Sequence, residues 1–157
     1  MVILGVDPGT ARIGYGLVRG GKKPAFVACG LLRVTGKDQN IRRAEAAAHF
    51  EKLLNKYHPQ IVAVEKLFFV KNQKTGMAVS EMRGAILLVA QRSGAEIVEY
   101  APTEIKKMVA GFGGADKRAV AKMVCLSLGI VRVPGPDDVS DALAAALAAA
   151  YALRNRR

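Results

Sequence analysis

Val2-Ile3-Leu4-Gly5-Val6-Asp7-Pro8-Gly9-Thr10 opens the chain with an unbroken apolar run, then an acid, then a turn. A run that is apolar at every position, rather than at alternate ones, marks a strand covered on both faces and central in its sheet. Ile61-Val62-Ala63-Val64 repeats the pattern and again ends on an acid, Glu65. If the two strands are parallel, both carboxylates emerge at one sheet edge, where open α/β sheets hold their ligands. Asp138 and Asp141 stand one helical turn apart at the start of an Ala-rich segment. Helical residues at i and i+3 lie about 5–6 Å apart, so this pair can close a four-acid cluster. Converging carboxylates repel one another and retain protons unless a cation offsets them. A divalent metal is the expected counter-charge.

Working outward, residues 2–7, 14–19 and 25–34 read as three strands joined by short turns, an antiparallel meander. Residues 35–40 form a polar linker. Ile41, Ala44, Ala48, Leu53 and Leu54 share one stripe of a helix that runs to Tyr57 and stops at His58-Pro59. After the strand Ile61–Glu65, residues 66–76 read as a basic, aromatic loop, and residues 77–92 as a helix apolar around most of its circumference. A fifth strand, Glu96–Tyr100, precedes a short helix opened by Pro102 and ending at Val109. A glycine-rich loop, residues 111–114, leads to a helix at 115–128, a Pro- and Gly-rich connector, and a last helix from about Asp138 to Leu153. The order β-β-β-α-β-α-β-α-α-α predicts an α/β fold, a mixed five-stranded sheet flanked by helices, with residues 1–157 in one domain.

Lys and Arg number 24 against 13 Asp and Glu, a net charge of +11. Such an excess suits a polyanion partner, most commonly nucleic acid, though a solvated basic surface is the plainer explanation. An acidic cluster inside a basic chain favours the former, because a phosphodiesterase needs both. Cys29 and Cys125 have no paired spacing and apolar neighbours, so buried free thiols are expected. The longest uncharged run, residues 142–153, is 12 residues, against the roughly 20 needed to span a bilayer. No charged-then-apolar leader precedes the first strand, and a cytoplasmic location is expected.

Several motifs occur in a fixed order: Gly5-Val6-Asp7-Pro8-Gly9-Thr10 with Gly14-Tyr15-Gly16; Ala63-Val64-Glu65 with Phe68 and Lys71-Asn72; Lys106 and Gly111; Ala115-Asp116-Lys117; and Asp138, Asp141 and Ala142-Leu143. In this order and spacing they resemble the RuvC family of Holliday-junction resolvases, built on the ribonuclease H fold. The resemblance runs through most of the chain. It implies a homodimeric, structure-specific endodeoxyribonuclease that makes paired symmetric nicks in four-way DNA junctions during recombination and repair. It also implies two magnesium ions per active site, with manganese as a possible substitute. Asp7, Glu65, Asp138 and Asp141 match the family's metal-binding acids. Phe68 matches an aromatic that stacks on a base near the crossover, and Lys106 and Lys117 match basic residues near the cleaved backbone. The family works beside a junction-binding and branch-migrating complex of the RuvA and RuvB type.

Each expectation has a plainer rival. Asp7 would bridge two metals about 3.5–4 Å apart, or merely cap an Asx turn ahead of Pro8-Gly9. Glu65 would be a ligand, or pair with Lys66 or Lys71. Acids in a helix's first turn are stabilised by about 0.3–1 kcal/mol without any metal. Asp137 competes with Asp138, being i,i+4 to Asp141; the family spacing selects Asp138 and leaves Asp137 as the helix N-cap. Phe68, Phe69, Lys71 and Lys74 form a DNA-facing segment in which Phe68 stacks, contributing about 1–3 kcal/mol, and Phe69 packs inward. Arg12, Arg83, Lys107 and Arg118 are expected phosphate contacts, or ordinary surface cations. Arg154, Arg156 and Arg157 read as a basic tail. The helix at 77–92 is assigned to a dimer interface. Alternative functions are a ribonuclease H-fold nuclease acting on structured RNA, a non-catalytic junction-binding protein, and an actin-like ATPase, which would need two such domains.

Overall fold

The computed structural model describes residues 1–67 and 73–155. In chain order the elements are β1 (Val2–Pro8), β2 (Arg12–Arg19), β3 (Ala25–Arg33), α1 (Gln39–Tyr57), β4 (Ile61–Glu65), α2 (Gln73–Arg92), β5 (Glu96–Tyr100), α3 (Pro102–Ala110), α4 (Lys117–Leu128) and α5 (Asp137–Asn155). One five-stranded sheet runs β3-β2-β1-β4-β5. β1–β2 and β2–β3 are antiparallel, while β4 lies parallel to both β1 and β5. The expected meander and the two central apolar strands are therefore present, and the sheet is mixed.

Period-two alternation sorts the two faces. Ile3 of β1 and Ile61 and Ala63 of β4 join a buried cluster with α3, α4 and α5. Leu4, Val6, Val62 and Val64 point the other way, into Phe50 of α1 and Met82 and Ile86 of α2. Continuing the alternation puts Asp7 and Glu65 on the α5 side. Val6 pairs with Val64, so the two acids follow at the same C-terminal edge of adjacent parallel strands.

Three glycines decide how closely α5 approaches. Gly5 and Gly16 are register partners, and Gly14 pairs with Asp7. A Cβ on Gly5 would overlap the Ala142 carbonyl and the Ala146 amide; one on Gly14 would overlap the Asp138 carbonyl; one on Gly16 would run into Leu143. Helix backbone thus rests almost directly on strand backbone. Residues 142–150 of α5 are all buried, which their small side chains permit.

Several boundaries differ from the sequence expectation. α1 begins at Gln39 because Asp38 caps it, accepting the Ile41 N–H at 3.0 Å. α4 begins at Lys117 rather than 115, with Asp116 accepting the Ala119 N–H at 2.7 Å. α2 starts at Gln73, inside the stretch read as loop. Gln and Lys favour helix, and Gly76 costs only about 1 kcal/mol there. α5 starts at Asp137, so that residue is not the N-cap; the Pro136 carbonyl accepts the Val139 N–H at 3.0 Å. Cys29 and Cys125 are free but half-buried rather than buried. Among the described residues, no helix is long and apolar enough to cross a membrane.

Candidate active site

Asp7 and Glu65 enter the site from the ends of β1 and β4, both half-buried. Asp138 is brought over β2 by the contact of its own backbone with Gly14, the strand partner of Asp7. Asp141 follows one turn along α5. Their mutual influence records the convergence. The Asp7 carboxyl is pushed up to about 7, first by burial and then by Asp141, Asp138 and Glu65, with Lys117 pulling the other way. Burial and then Asp141 raise Glu65, against the pull of Lys117 and Lys106. Asp137 is not among the groups acting on Asp7; its side chain is exposed.

Cations ring the acids. Lys117, at the first position of α4, donates from Nζ to Asp141 Oδ2 at 3.1 Å and stands 3.9 Å from Asp137 Oδ2. The bond to Asp141 raises the lysine's own pKa. Arg12, opening β2, brings Nη2 to 3.2 Å from Asp138 Oδ2. Glu65, Lys106, Lys117 and Asp141 line one cleft of about 310 Å³, floored by Ile105 and Ala144. Lys107 and Arg118 are exposed and make no ion pair among the described residues. A larger groove of about 600 Å³ lies between α4 and the connector to α5, but Asp137 is its only acid, so the chemistry belongs to the smaller cleft.

Arg83, expected as a phosphate contact, is engaged within the chain. Its side chain is only 15% exposed, with Nη2 2.8 Å from Glu99 Oε1, and Nε donates to the Glu65 carbonyl at 3.4 Å. It braces the end of β4 from α2 rather than standing free for phosphate. Glu99, on the neighbouring strand, was not legible as its partner, because nothing in the sequence pairs a helix residue with one 16 positions on. The site-forming role of Gly5, Gly14 and Gly16 was also missed. Its signal was the coexistence of small residues in β1 and β2 with an alanine-rich helix. Lys66 is exposed and makes no ion pair with Glu65 among the described residues. Phe68, Phe69, Lys71 and the side chain of Lys74 lie outside the described residues.

As it stands, no group of three or more His, Cys, Asp or Glu side chains among the described residues is arranged to hold a metal ion. Asp138 and Asp141 are turned to Arg12 and Lys117 instead. The donor chemistry nonetheless fits a hard divalent cation. All four acids offer carboxylate oxygens, the donors that suit magnesium and manganese. Asp7 is raised first by burial and then by three neighbouring acids, with only Lys117 opposing them, so a cation is favoured there.

Fold and site together define a ribonuclease H-like protein with a carboxylate cluster at the C-terminal edge of its central parallel strands. A family model described as crossover junction endodeoxyribonuclease RuvC matches residues 3–149. The chain belongs to the RuvC family. It is 48% identical over 149 residues to the crossover junction endodeoxyribonuclease RuvC of Moorella thermoacetica, covering 94% of this chain and 89% of that one. Among solved structures, Thermus thermophilus RuvC superposes with a TM-score of 0.90 at 32% identity, covering 99% of this chain and 97% of that one. T. thermophilus RuvC in complex with Holliday junction substrate gives a TM-score of 0.88 at 29% identity, covering 99% and 96%. Nucleases of the family are metal-dependent in general.

Proposed function

We infer that this chain is a Holliday-junction resolvase, an endodeoxyribonuclease that makes paired symmetric nicks in four-way DNA junctions during recombination and repair. The observation that carries the assignment is the gathering of Asp7, Glu65, Asp138 and Asp141 at one sheet edge beside Lys117, in a family member of net charge +11. Residues 1–157 then act as a single nuclease domain.

Asp7, Glu65, Asp138 and Asp141 would hold magnesium or manganese, two ions when the site is full. A bound divalent cation supplies Lewis-acid charge and acidifies its water near neutral pH. Asp7 is the central acid, since the other three all act on it. Lys106 and Lys117, on the wall of the same cleft, face the phosphate and its developing charge. Arg83 fixes the β4 terminus, and with it the position of Glu65. Phe68, with Phe69, Lys71 and Lys74, would engage unpaired bases and backbone near the crossover, and Lys107 and Arg118 would contact phosphates farther out.

A junction is resolved by two nicks related by a two-fold axis, and a C2 homodimer presents two identical sites. α2 leaves Met77 and Leu88 exposed, and this helix is assigned to the dimer contact. The working environment is cytoplasmic, beside a branch-migration complex of the RuvA and RuvB type.

The test is cleavage of a labelled mobile four-way junction in magnesium, beside linear duplex and a structured RNA, with Asp7→Asn as control. Paired nicks on the junction alone, lost in a variant that still binds it, are expected. Cleavage of the RNA instead of the junction would overturn the substrate, and tight junction binding with no nicks would leave only a binding protein.

A further inference from the structure

Two of the four acids each hold a cation of the chain itself. Arg12 comes from the first residue of β2 to Asp138, and Lys117 from the first turn of α4 to Asp141. Both cations are open to water, with side chains 52% and 67% exposed, whereas their acids are 25% and 32% exposed. Ion pairs this open to water contribute little to stability, so they exchange readily. While these pairs stand, no three acids among the described residues are arranged for an ion.

We propose that Arg12 and Lys117 are place-holding counter-cations, which occupy Asp138 and Asp141 in the free protein, leave as a divalent ion enters, and turn to the DNA backbone. This rests on the metal-dependent nuclease function inferred above. It gives Arg12 a part in loading the site, beyond a phosphate contact. The two events are linked reciprocally. A phosphate that draws the guanidinium and ammonium away frees two carboxylates for the ion. An ion that takes the carboxylates frees two donors for phosphate. The protein alone therefore binds its ions more weakly than four carboxylates would otherwise allow, and the junction relieves that handicap.

The experiment is a manganese titration of the full chain without DNA, followed by calorimetry, so that no activity enters the readout. Wild type is compared with Arg12→Gln, Lys117→Gln, Arg12→Lys, Lys106→Gln and Asp7→Asn, and each variant's fold is checked by its melting curve. Lys106 lines the same cleft but makes no ion pair among the described residues, so its loss reports general charge alone. Arg12→Gln and Lys117→Gln are expected to bind manganese about two- to fivefold more tightly than wild type. Lys106→Gln should show less than half that gain, and Arg12→Lys, which keeps the charge, should stay near wild type. If Arg12→Gln and Lys117→Gln gain no more than Lys106→Gln, place-holding is wrong while the metal site stands. If wild type binds manganese no better than Asp7→Asn, the metal site itself fails, and the proposal with it.

Discussion

The two faces of the sheet are packed by different rules. Toward α1 and α2, large side chains interdigitate: Phe50, Met82 and Ile86 against Leu4, Val6 and Val62. Toward α5, backbone lies on backbone at Gly5 and Gly14, and Gly16 lies directly under Leu143. The first face can adjust by changing rotamers, and such cores tolerate modest changes of volume. The second has no side chain to adjust where the helix backbone meets Gly5 and Gly14. Its acids are placed by the helix as a rigid body, and that is the face on which Asp7 and Glu65 emerge.

The sharpest way to break this contrast is Gly14→Ala. A methyl group there collides with the Asp138 carbonyl, so α5 must shift and carry its acids with it. A displacement of about 1 Å can cost a hundredfold in rate. Junction cleavage is therefore expected to fall by about that factor, even where a melting curve shows a folded protein. Cleavage within about twofold of wild type would show that the site does not depend on close approach.

Next in size is a pH effect on the same face. The Asp7 carboxyl is raised from 3.8 to about 7, which means the folded chain holds that proton more tightly than the unfolded one. Stability from this group is present in full below its ordinary value and is lost as pH rises through about 7. In EDTA the wild-type melting temperature should therefore fall between roughly pH 4 and 8, and Asp7→Asn should flatten the decline. At pH 8 the variant should be more stable by up to a few kcal/mol, since each tenfold change in proton affinity corresponds to about 1.4 kcal/mol. An equal slope in both proteins would mean that burial and crowding do not strain Asp7.

The smallest effect belongs to the other face. Ile86→Val should cost about 0.5–1.5 kcal/mol in denaturant unfolding and leave cleavage unchanged. A marked loss of cleavage would extend the rigid region through the sheet to α2, where Arg83 already touches the end of β4.

How much of this was legible follows the same division. β1 and β4 announce themselves because burial on both faces leaves no polar position, and their final acids share an edge once the strands are parallel. Asp138 and Asp141 share a helix face by periodicity alone, and the motif order supplied the family. The start of α2 was not legible, because helix-favouring Gln73 and Lys74 sit in a polar stretch closed by Gly76. Nor were the pairings of Arg83 with Glu99 and Arg12 with Asp138, which join residues from different elements and leave no local pattern. The glycines could be read as motif, but not as a bed for a helix, until the topology had placed α5 over them.

That bed enlarges what counts as the enzyme's working part. Ala142 and Ala146 are fully buried, and Gly5 beneath them has no room for another carbon. The spacing of the acids is thus written into residues with almost no chemistry of their own, and a substitution there changes the site without removing a single functional group.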